Sequence, residues 1–191
     1  IKQAPNWSVG LDAMGYFLEI TGDLKNAQHY YQKALYYAPK SGPALNNYGV
    51  FLCKINQMNL AQQYFLRATQ DMSYINSSEA VENSGLCFLK QKNIKIAEQQ
   101  FLAALQQDPE RTTSMWELAN LYYQSNLYDK ARIYLKQYDD RVPLNAKSAL
   151  LNLKIAQRLG EKSIVRKYSA ILRKSFYNST EYKDYLKGRH E

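Results

Sequence analysis

Cys53 and Cys87 are the two cysteines of this 191-residue chain, and their spacing suggests covalent chemistry. They fall on the first helices of consecutive predicted repeats, two positions out of register, which places them about 200° apart around equivalent helices. One side chain then points forward and the other points back at it, so their Cα atoms can come within the roughly 7 Å that a disulfide requires. Two buried thiols, which are common in helical cores, are the alternative. A disulfide would indicate an oxidising compartment.

No other group of residues has the spacing of a catalytic or metal site. The two histidines, His29 and His190, have no Cys or His partners at metal-ligand spacing. The sequence contains no glycine-rich phosphate loop and no Ser/His/Asp or Cys/His order typical of a nucleophilic enzyme. We therefore predict a protein without a catalytic site, a metal or a cofactor, whose function is to bind other chains.

The helices that carry the cysteines follow from a repeated set of small and aromatic residues. Gly15, Ala27, Tyr31 and Ala34 form the first copy of the set, and three further copies follow at nearly constant spacing. A 34-residue period with small residues at its eighth and twentieth positions is the tetratricopeptide signature. The predicted fold class is all-α, a right-handed superhelical solenoid of tetratricopeptide repeat (TPR) helix–turn–helix units. The three further copies are Gly49, Ala61, Phe65 and Ala68; Gly85, Ala97, Phe101 and Ala104; and Ala119, Ala131, Leu135 and Tyr138.

The predicted organisation is a single TPR domain over residues 1–191. Small residues let the two helices of a repeat cross closely, an aromatic ring fills the space beneath, and prolines end the second helices. Turn signals separate the paired helices at Gly22-Asp23, Asn56-Gln57, Lys92-Asn93, Ser125-Asn126 and Gly160-Glu161. The predicted units are the tail of a truncated upstream repeat at 1–7, repeats at 8–41, 42–77, 78–111 and 112–145, a degenerate repeat at 146–177 and a capping helix at 178–191.

The basic charge of the chain is concentrated at its C-terminal end. The formal net charge is +8, and the residues from Ala146 onward contain 11 Lys/Arg against 4 Asp/Glu. A solvated face on the last helices is one interpretation, and a docking site for anionic lipid or glycan between Lys147 and Arg189 is another. Nucleic acid is not a predicted partner, because no arginine-rich run or recognised binding motif accompanies the charge.

The first helices of the repeats are predicted to line a groove that binds a partner. Trp116 is the strongest candidate anchor for a bound segment, and packing on the adjacent helix is the equal alternative. A Lys/Asn clamp for acidic C-terminal peptides is not predicted, since Asp12 and Glu82 occupy positions where it would need Lys or Asn. An extended or helical apolar segment is predicted instead. The predicted partner-binding residues are Tyr16, Asn46, Val50, Lys54, Glu82, Leu86, Lys90, Trp116, Asn120 and Tyr123.

The link after the second repeat differs from the other links. The segment from Met72 to Ser78 is two residues longer and lacks the proline found at the other links. It is either a tolerated insertion or a loop that binds a ligand.

Several segments of the chain resemble one family of bacterial TPR proteins. They are Ala44–Cys53, which contains the run Leu-Asn-Asn-Tyr-Gly, together with Asn83–Cys87, Glu117–Ala119 and Tyr128–Arg132. With paired cysteines one repeat apart, they are similar to the type IV pilus biogenesis and stability lipoproteins, the pilotins of the pilus secretin. The resemblance covers nearly the whole chain.

That resemblance implies a six-repeat solenoid attached by an N-terminal lipid to the periplasmic face of the outer membrane. It implies a role in localising and multimerising the outer-membrane pilus secretin, with other pilus proteins as further candidate partners. The family cysteines that correspond to Cys53 and Cys87 are bridged in some members, and no groove residue is carried over from the family. The alternative function is a generic TPR scaffold or cytosolic co-chaperone that binds client peptides.

Overall fold

The computed structural model describes residues 5–187, and within that range the chain is helical with no strand. The eleven helices of this range form five helix–turn–helix pairs followed by α11. This confirms the all-α, repeat-based fold class that the repeat pattern predicts. The helices are α1 Pro5–Ile20, α2 Leu24–Tyr37, α3 Gly42–Lys54, α4 Met58–Thr69, α5 Ser77–Lys90, α6 Ile94–Gln107, α7 Thr112–Gln124, α8 Tyr128–Asp139, α9 Ala146–Arg158, α10 Lys162–Ser175 and α11 Thr180–Lys187.

Each turn inside a helix pair contains one residue in the left-handed region. Glycine and asparagine adopt this conformation most readily, so the predicted turn signals lie where the backbone requires them. Lys92 is the exception, because it has a side chain that disfavours a positive φ. The φ values are 88° at Gly22, 64° at Asn56, 60° at Lys92, 60° at Asn126 and 72° at Gly160.

The structure corrects the predicted start of the first repeat. The sequence predicts the tail of an upstream repeat at residues 1–7, but α1 already begins at Pro5. Proline is favoured in the first turn of a helix, where its missing N–H has no intrahelical partner to lose, so it starts α1. Residues 1–4 lie outside the described residues, and so do residues 188–191 of the predicted capping helix.

Glycines in the first helices allow the close helix crossings that the repeat pattern predicts. The facing alanines Ala27, Ala61 and Ala97 are completely buried. At each glycine a side chain would force an aromatic ring of the second helix to move, which is why the position is small. A Cβ atom would lie 2.9 Å from Tyr31 at Gly15, 2.7 Å from Phe65 at Gly49 and 2.8 Å from Phe101 at Gly85.

The chain divides into two compact units, with the boundary between Pro109 and Glu110. Unit 1 contains α1 to α6 and has an aromatic core in which the rings of Tyr48 and Phe51 stack with centroids 6.1 Å apart. Unit 2 contains α7 to α11. In its last helix pair, α9 and α10, aliphatic side chains pack together, and Leu153 and Leu172 are buried. In residues 5–187 no helix is long and apolar enough to cross a membrane.

Candidate functional site

A disulfide joins the first helices of two consecutive repeats in unit 1. Cys53 of α3 and Cys87 of α5 are bridged, with their Cα atoms 5.9 Å apart. The Sδ atom of Met58 lies 3.6 Å from Cys53 Sγ and 3.4 Å from Cys87 Sγ, so a third sulfur packs against the bond. The geometry is the one expected for parallel helices with cysteines two positions out of register.

Polar side chains join α1 to α3 beside this bridge. Asn47 Nδ2 donates to Asp12 Oδ2 at 2.6 Å, and Lys54 Nζ lies 3.1 Å from Glu19 Oε1. The Tyr31 hydroxyl donates to the second Glu19 oxygen, Oε2, at 2.8 Å. Glu19 is buried, so an ammonium group and a phenol supply the partners that a buried carboxylate needs.

A second set of polar contacts joins α3 to α5. Asn83 Nδ2 donates to Asn46 Oδ1 at 3.0 Å. Lys90 Nζ donates to the backbone carbonyls of Cys53 and Lys54, both at 3.0 Å. These carbonyls belong to the last turn of α3, where backbone oxygens lack intrahelical partners and a cation is favourable.

The first helices of unit 1, α1, α3 and α5, also expose an apolar row, which is formed by Tyr16, Val50 and Leu86. The three residues occupy the same repeat position in α1, α3 and α5. Tyr16 is 59% exposed and Val50 is 38% exposed, while Leu86 is partly exposed. A partner that contacts all three first helices of unit 1 would meet an apolar row bordered by the ammonium groups of Lys54 and Lys90.

Two predicted partner-binding residues in unit 1 are not on the accessible surface. Asn46 is 2% exposed and Glu82 is 3% exposed, so the prediction that they face a partner is corrected. Both occupy the fifth position of their repeats, and Asn46 accepts a hydrogen bond from Asn83 of the next first helix. Lys54 and Lys90 remain accessible, although their charged groups already contact Glu19 and the end of α3.

In unit 2 the predicted residues Trp116, Asn120 and Tyr123 line one cavity. The Trp116 ring packs on Tyr138 of α8, with centroids 5.3 Å apart, and Asn120 Nδ2 donates to the Trp116 carbonyl at 2.8 Å. Trp116 therefore packs on the adjacent helix and keeps part of its side chain accessible. The cavity has a volume of about 340 Å³, and its other lining residues are Gln124, Lys147, Leu150, Leu151, Lys154, Glu181 and Asp184.

The longer link between α4 and α5 is held by hydrogen bonds to the side chain of Asp71. Asp71 Oδ2 accepts from the backbone N–H of Gly42 at 2.7 Å, and Oδ1 accepts from the Ser73 hydroxyl at 2.6 Å. These hydrogen bonds hold the pKa of the Asp71 carboxyl below its usual value. Met72 and Ile75 are almost fully exposed on the same link. Sequence spacing alone gave no signal for the contact with Gly42, since it joins residues 29 positions apart.

Burial of Asp12 raises its pKa from an ordinary 3.8 to about 6, while the hydrogen bond from Asn47 opposes the shift. Asp12 Oδ1 is buried and lacks a hydrogen-bond partner among the described residues. The ionised form is therefore disfavoured in the folded protein relative to the unfolded chain.

We expect the contribution of Asp12 to the stability of the protein to fall as the pH rises from about 4 to about 6. The unfolded chain releases the Asp12 proton near its ordinary pKa of 3.8 and the folded protein only near 6, so the folded state holds more protons in this window. At about 1.4 kcal/mol per pKa unit, the loss is at most about 3 kcal/mol. Asp12→Asn should reduce this fall and stabilise the protein at pH 7, as measured by urea unfolding at pH 4.5 and pH 7. The exposed Asp129→Asn serves as the control. An identical pH dependence in Asp12→Asn and wild-type protein would contradict the expectation.

No three His, Cys, Asp or Glu side chains in residues 5–187 lie together as a group of metal ligands. The unit 1 surface is built from apolar side chains, paired charges and a disulfide. Such an arrangement can hold another polypeptide through shape and apolar contact.

Comparisons with known proteins match the chain to repeat proteins and to pilus proteins. Residues 11–41 and 78–146 each match a family model described as tetratricopeptide repeat. The type IV pilus assembly protein PilF of Pseudomonas aeruginosa is 30% identical over 161 residues, which are 84% of this chain. The chain spans 64% of the length of that curated relative.

Two solved structures are similar to the chain in both sequence and fold. The crystal structure of PilW, a widely conserved type IV pilus biogenesis factor, superposes with a TM-score of 0.83 at 30% identity. That similarity covers 97% of this chain and 85% of PilW. The structure of Pseudomonas aeruginosa PilF also gives a TM-score of 0.83, at 28% identity, covering 96% of this chain and 83% of PilF.

Proposed function

The chain belongs to the tetratricopeptide repeat family and is a homologue of the type IV pilus biogenesis proteins PilF and PilW. We propose that it is a non-catalytic assembly factor for the pilus secretin. In this role it binds the secretin and promotes its localisation and multimerisation in the outer membrane. The observation that carries the proposal is the similarity to PilW over 97% of the chain at a TM-score of 0.83.

We propose that the whole protein acts at the periplasmic face of the outer membrane, attached by an N-terminal lipid. The disulfide between Cys53 and Cys87 supports a location in an oxidising compartment, because thiols are kept reduced in the cytosol. The same bond argues against the alternative of a cytosolic co-chaperone.

The apolar row is the proposed contact surface for the secretin. Tyr16, Val50 and Leu86 present apolar side chains from three neighbouring helices, and a helical or extended apolar segment can contact all three at once. The Asp12 position offers no cation to the C-terminal carboxylate of a bound peptide, and the ammonium groups of Lys54 and Lys90 already contact Glu19 and the end of α3. The proposed segment is therefore internal and apolar rather than a free acidic terminus.

Charges in the apolar row are expected to weaken secretin binding. The double substitution Val50→Glu with Leu86→Glu places two carboxylates where an apolar segment would remove them from water, and we expect at least about a tenfold loss of affinity. Binding of purified secretin to the immobilised chain measures the effect. Leu66→Glu is the matched control, because Leu66 is 62% exposed on the second helix α4, outside the row. Equal affinity for the double variant and the control would contradict the proposed surface.

A further inference from the structure

Helix α10 carries a charge that no other second helix of the repeats carries. It has five basic residues and no acidic residue in 14 positions. Among the equivalent helices, α2 has two basic residues, α4 has one, α6 has one basic and one acidic residue, and α8 has three basic and two acidic residues. The positive charge of α10 is therefore a local property and not a general feature of helices in this architecture.

The charge lies on the side of α10 that faces water. The apolar side packs into unit 2, where Leu172 is completely buried and Tyr168 and Ile171 pack against the same cluster. On the opposite side, Lys162 and Arg166 are one turn apart and Arg173 follows two turns later, so they share one stripe. We call the exposed cations Lys162, Arg166, Arg173 and Lys174 the basic face.

The four cations of the basic face form no ion pairs within the described chain. None of its four residues forms an ion pair within residues 5–187, and Arg166 Nε donates to the Lys162 carbonyl of its own helix. Two arginines elsewhere in unit 2 are paired: Arg132 with Glu161 and Arg141 with Glu110. The basic face therefore differs from these arginines in that its four cations form no ion pair within residues 5–187.

The shape of the basic face fits an extended anionic surface. Lys162 and Lys174 lie at opposite ends of α10, about 18 Å apart along the helix. Cations spread over that length contact several headgroups at once. Tyr177 is 62% exposed two residues beyond the end of α10, and an exposed aromatic side chain beside lysines is favoured at a lipid–water interface.

We propose that the basic face of α10 docks on a bilayer that contains anionic phospholipid. The attraction comes from four unpaired cations, and Tyr177 contacts the interface beside them. This surface belongs to unit 2 and is separate from the apolar row of unit 1. The proposed membrane docking is independent of the proposed role in secretin assembly.

Sedimentation with vesicles of phosphatidylglycerol and phosphatidylcholine tests the proposal. The chain should bind vesicles with phosphatidylglycerol and should not bind vesicles of phosphatidylcholine alone, and salt should weaken the binding. A basic residue near an anionic surface contributes about fivefold in affinity, so replacing all four residues with glutamine should reduce binding by more than about 100-fold. Lys167 is left unchanged because it lies over the Tyr168 ring and beside Asp139.

The matched control replaces four exposed lysines of unit 1 with glutamine and gives the same change in net charge. These lysines are Lys25, Lys33, Lys40 and Lys95. The proposal predicts that this control keeps most of the vesicle binding, and circular dichroism checks that both variants are folded. Equal loss in the two variants, no binding of the wild-type chain, or binding only to soluble polyanions such as heparin would overturn it. Secretin binding should survive in the α10 variant, so failure of one proposal is distinguishable from failure of the other.

Discussion

Replacing Phe101 with alanine is expected to lower the free energy of unfolding by about 3–5 kcal/mol. Phe101 is completely buried, and its ring lies directly under Gly85, where a Cβ atom would be 2.8 Å away. Gly85 has no side chain that could move into the space, so alanine would leave a cavity between α5 and α6. Urea unfolding followed by circular dichroism measures the loss.

The neighbouring residue provides a matched control for this prediction. Leu102 is 37% exposed on the same helix, and Leu102→Ala should cost less than about 1 kcal/mol. The contrast separates the loss of core packing from any general effect of alanine in α6. A cost for Phe101→Ala no larger than that for Leu102→Ala would mean that the ring does not fill the space between the helices.

Removing the disulfide is expected to have the second-largest effect, about 3–4 kcal/mol. The bond closes a loop with a sequence separation of 34, and the loop-entropy relation gives this magnitude for the constraint on the unfolded chain. It also ties α3 to α5, so its loss should loosen the first-helix side of unit 1. The variant Cys53→Ala with Cys87→Ala is compared with wild-type protein by urea unfolding.

A reductant serves as the control for the disulfide prediction. It should lower the stability of the wild-type protein towards that of the double variant and leave the double variant unchanged. Two reactive thiols in denatured protein prepared without reductant would contradict the bond itself. Equal stability of the oxidised and reduced wild-type protein would contradict the expected contribution.

The helix pairs and their crossings could be predicted from the sequence because the determining contacts are local. Gly49 and Phe65 belong to adjacent helices of one repeat, so their spacing within the repeat alone specifies the contact. The turns at Gly22 and Asn56 follow from the backbone conformations that these residue types tolerate. Repetition then fixes each later pair by its similarity to the one before it.

The burial of individual partner-binding residues could not be predicted from the sequence in the same way. Asn46 shares its repeat position with Trp116, yet Asn46 is buried against Asn83 while Trp116 remains partly accessible. The burial of Asn46 involves a residue 37 positions away, and spacing within one repeat does not specify such a contact. The contact between Lys54 and Glu19 is another such case, because it joins residues 35 positions apart.

The start of α1 shows a related limit of sequence reasoning. Pro5 precedes Pro39 by one full repeat, a spacing that predicts the end of a second helix. Proline is compatible both with the first turn of a helix and with the segment after one, so its spacing does not distinguish the two. The structure places Pro5 in the first turn of α1.

Heat-resistant secretin multimers in outer-membrane fractions test most directly whether the chain assembles the secretin through its apolar row. Cells that lack the gene should lose the multimers and keep the monomer. Full-length protein and its Leu66→Glu variant should restore the multimers, whereas the double variant Val50→Glu with Leu86→Glu should not. Unchanged multimers in cells that lack the gene would contradict a role in secretin assembly, and full restoration by the double variant would contradict the apolar row as the contact surface.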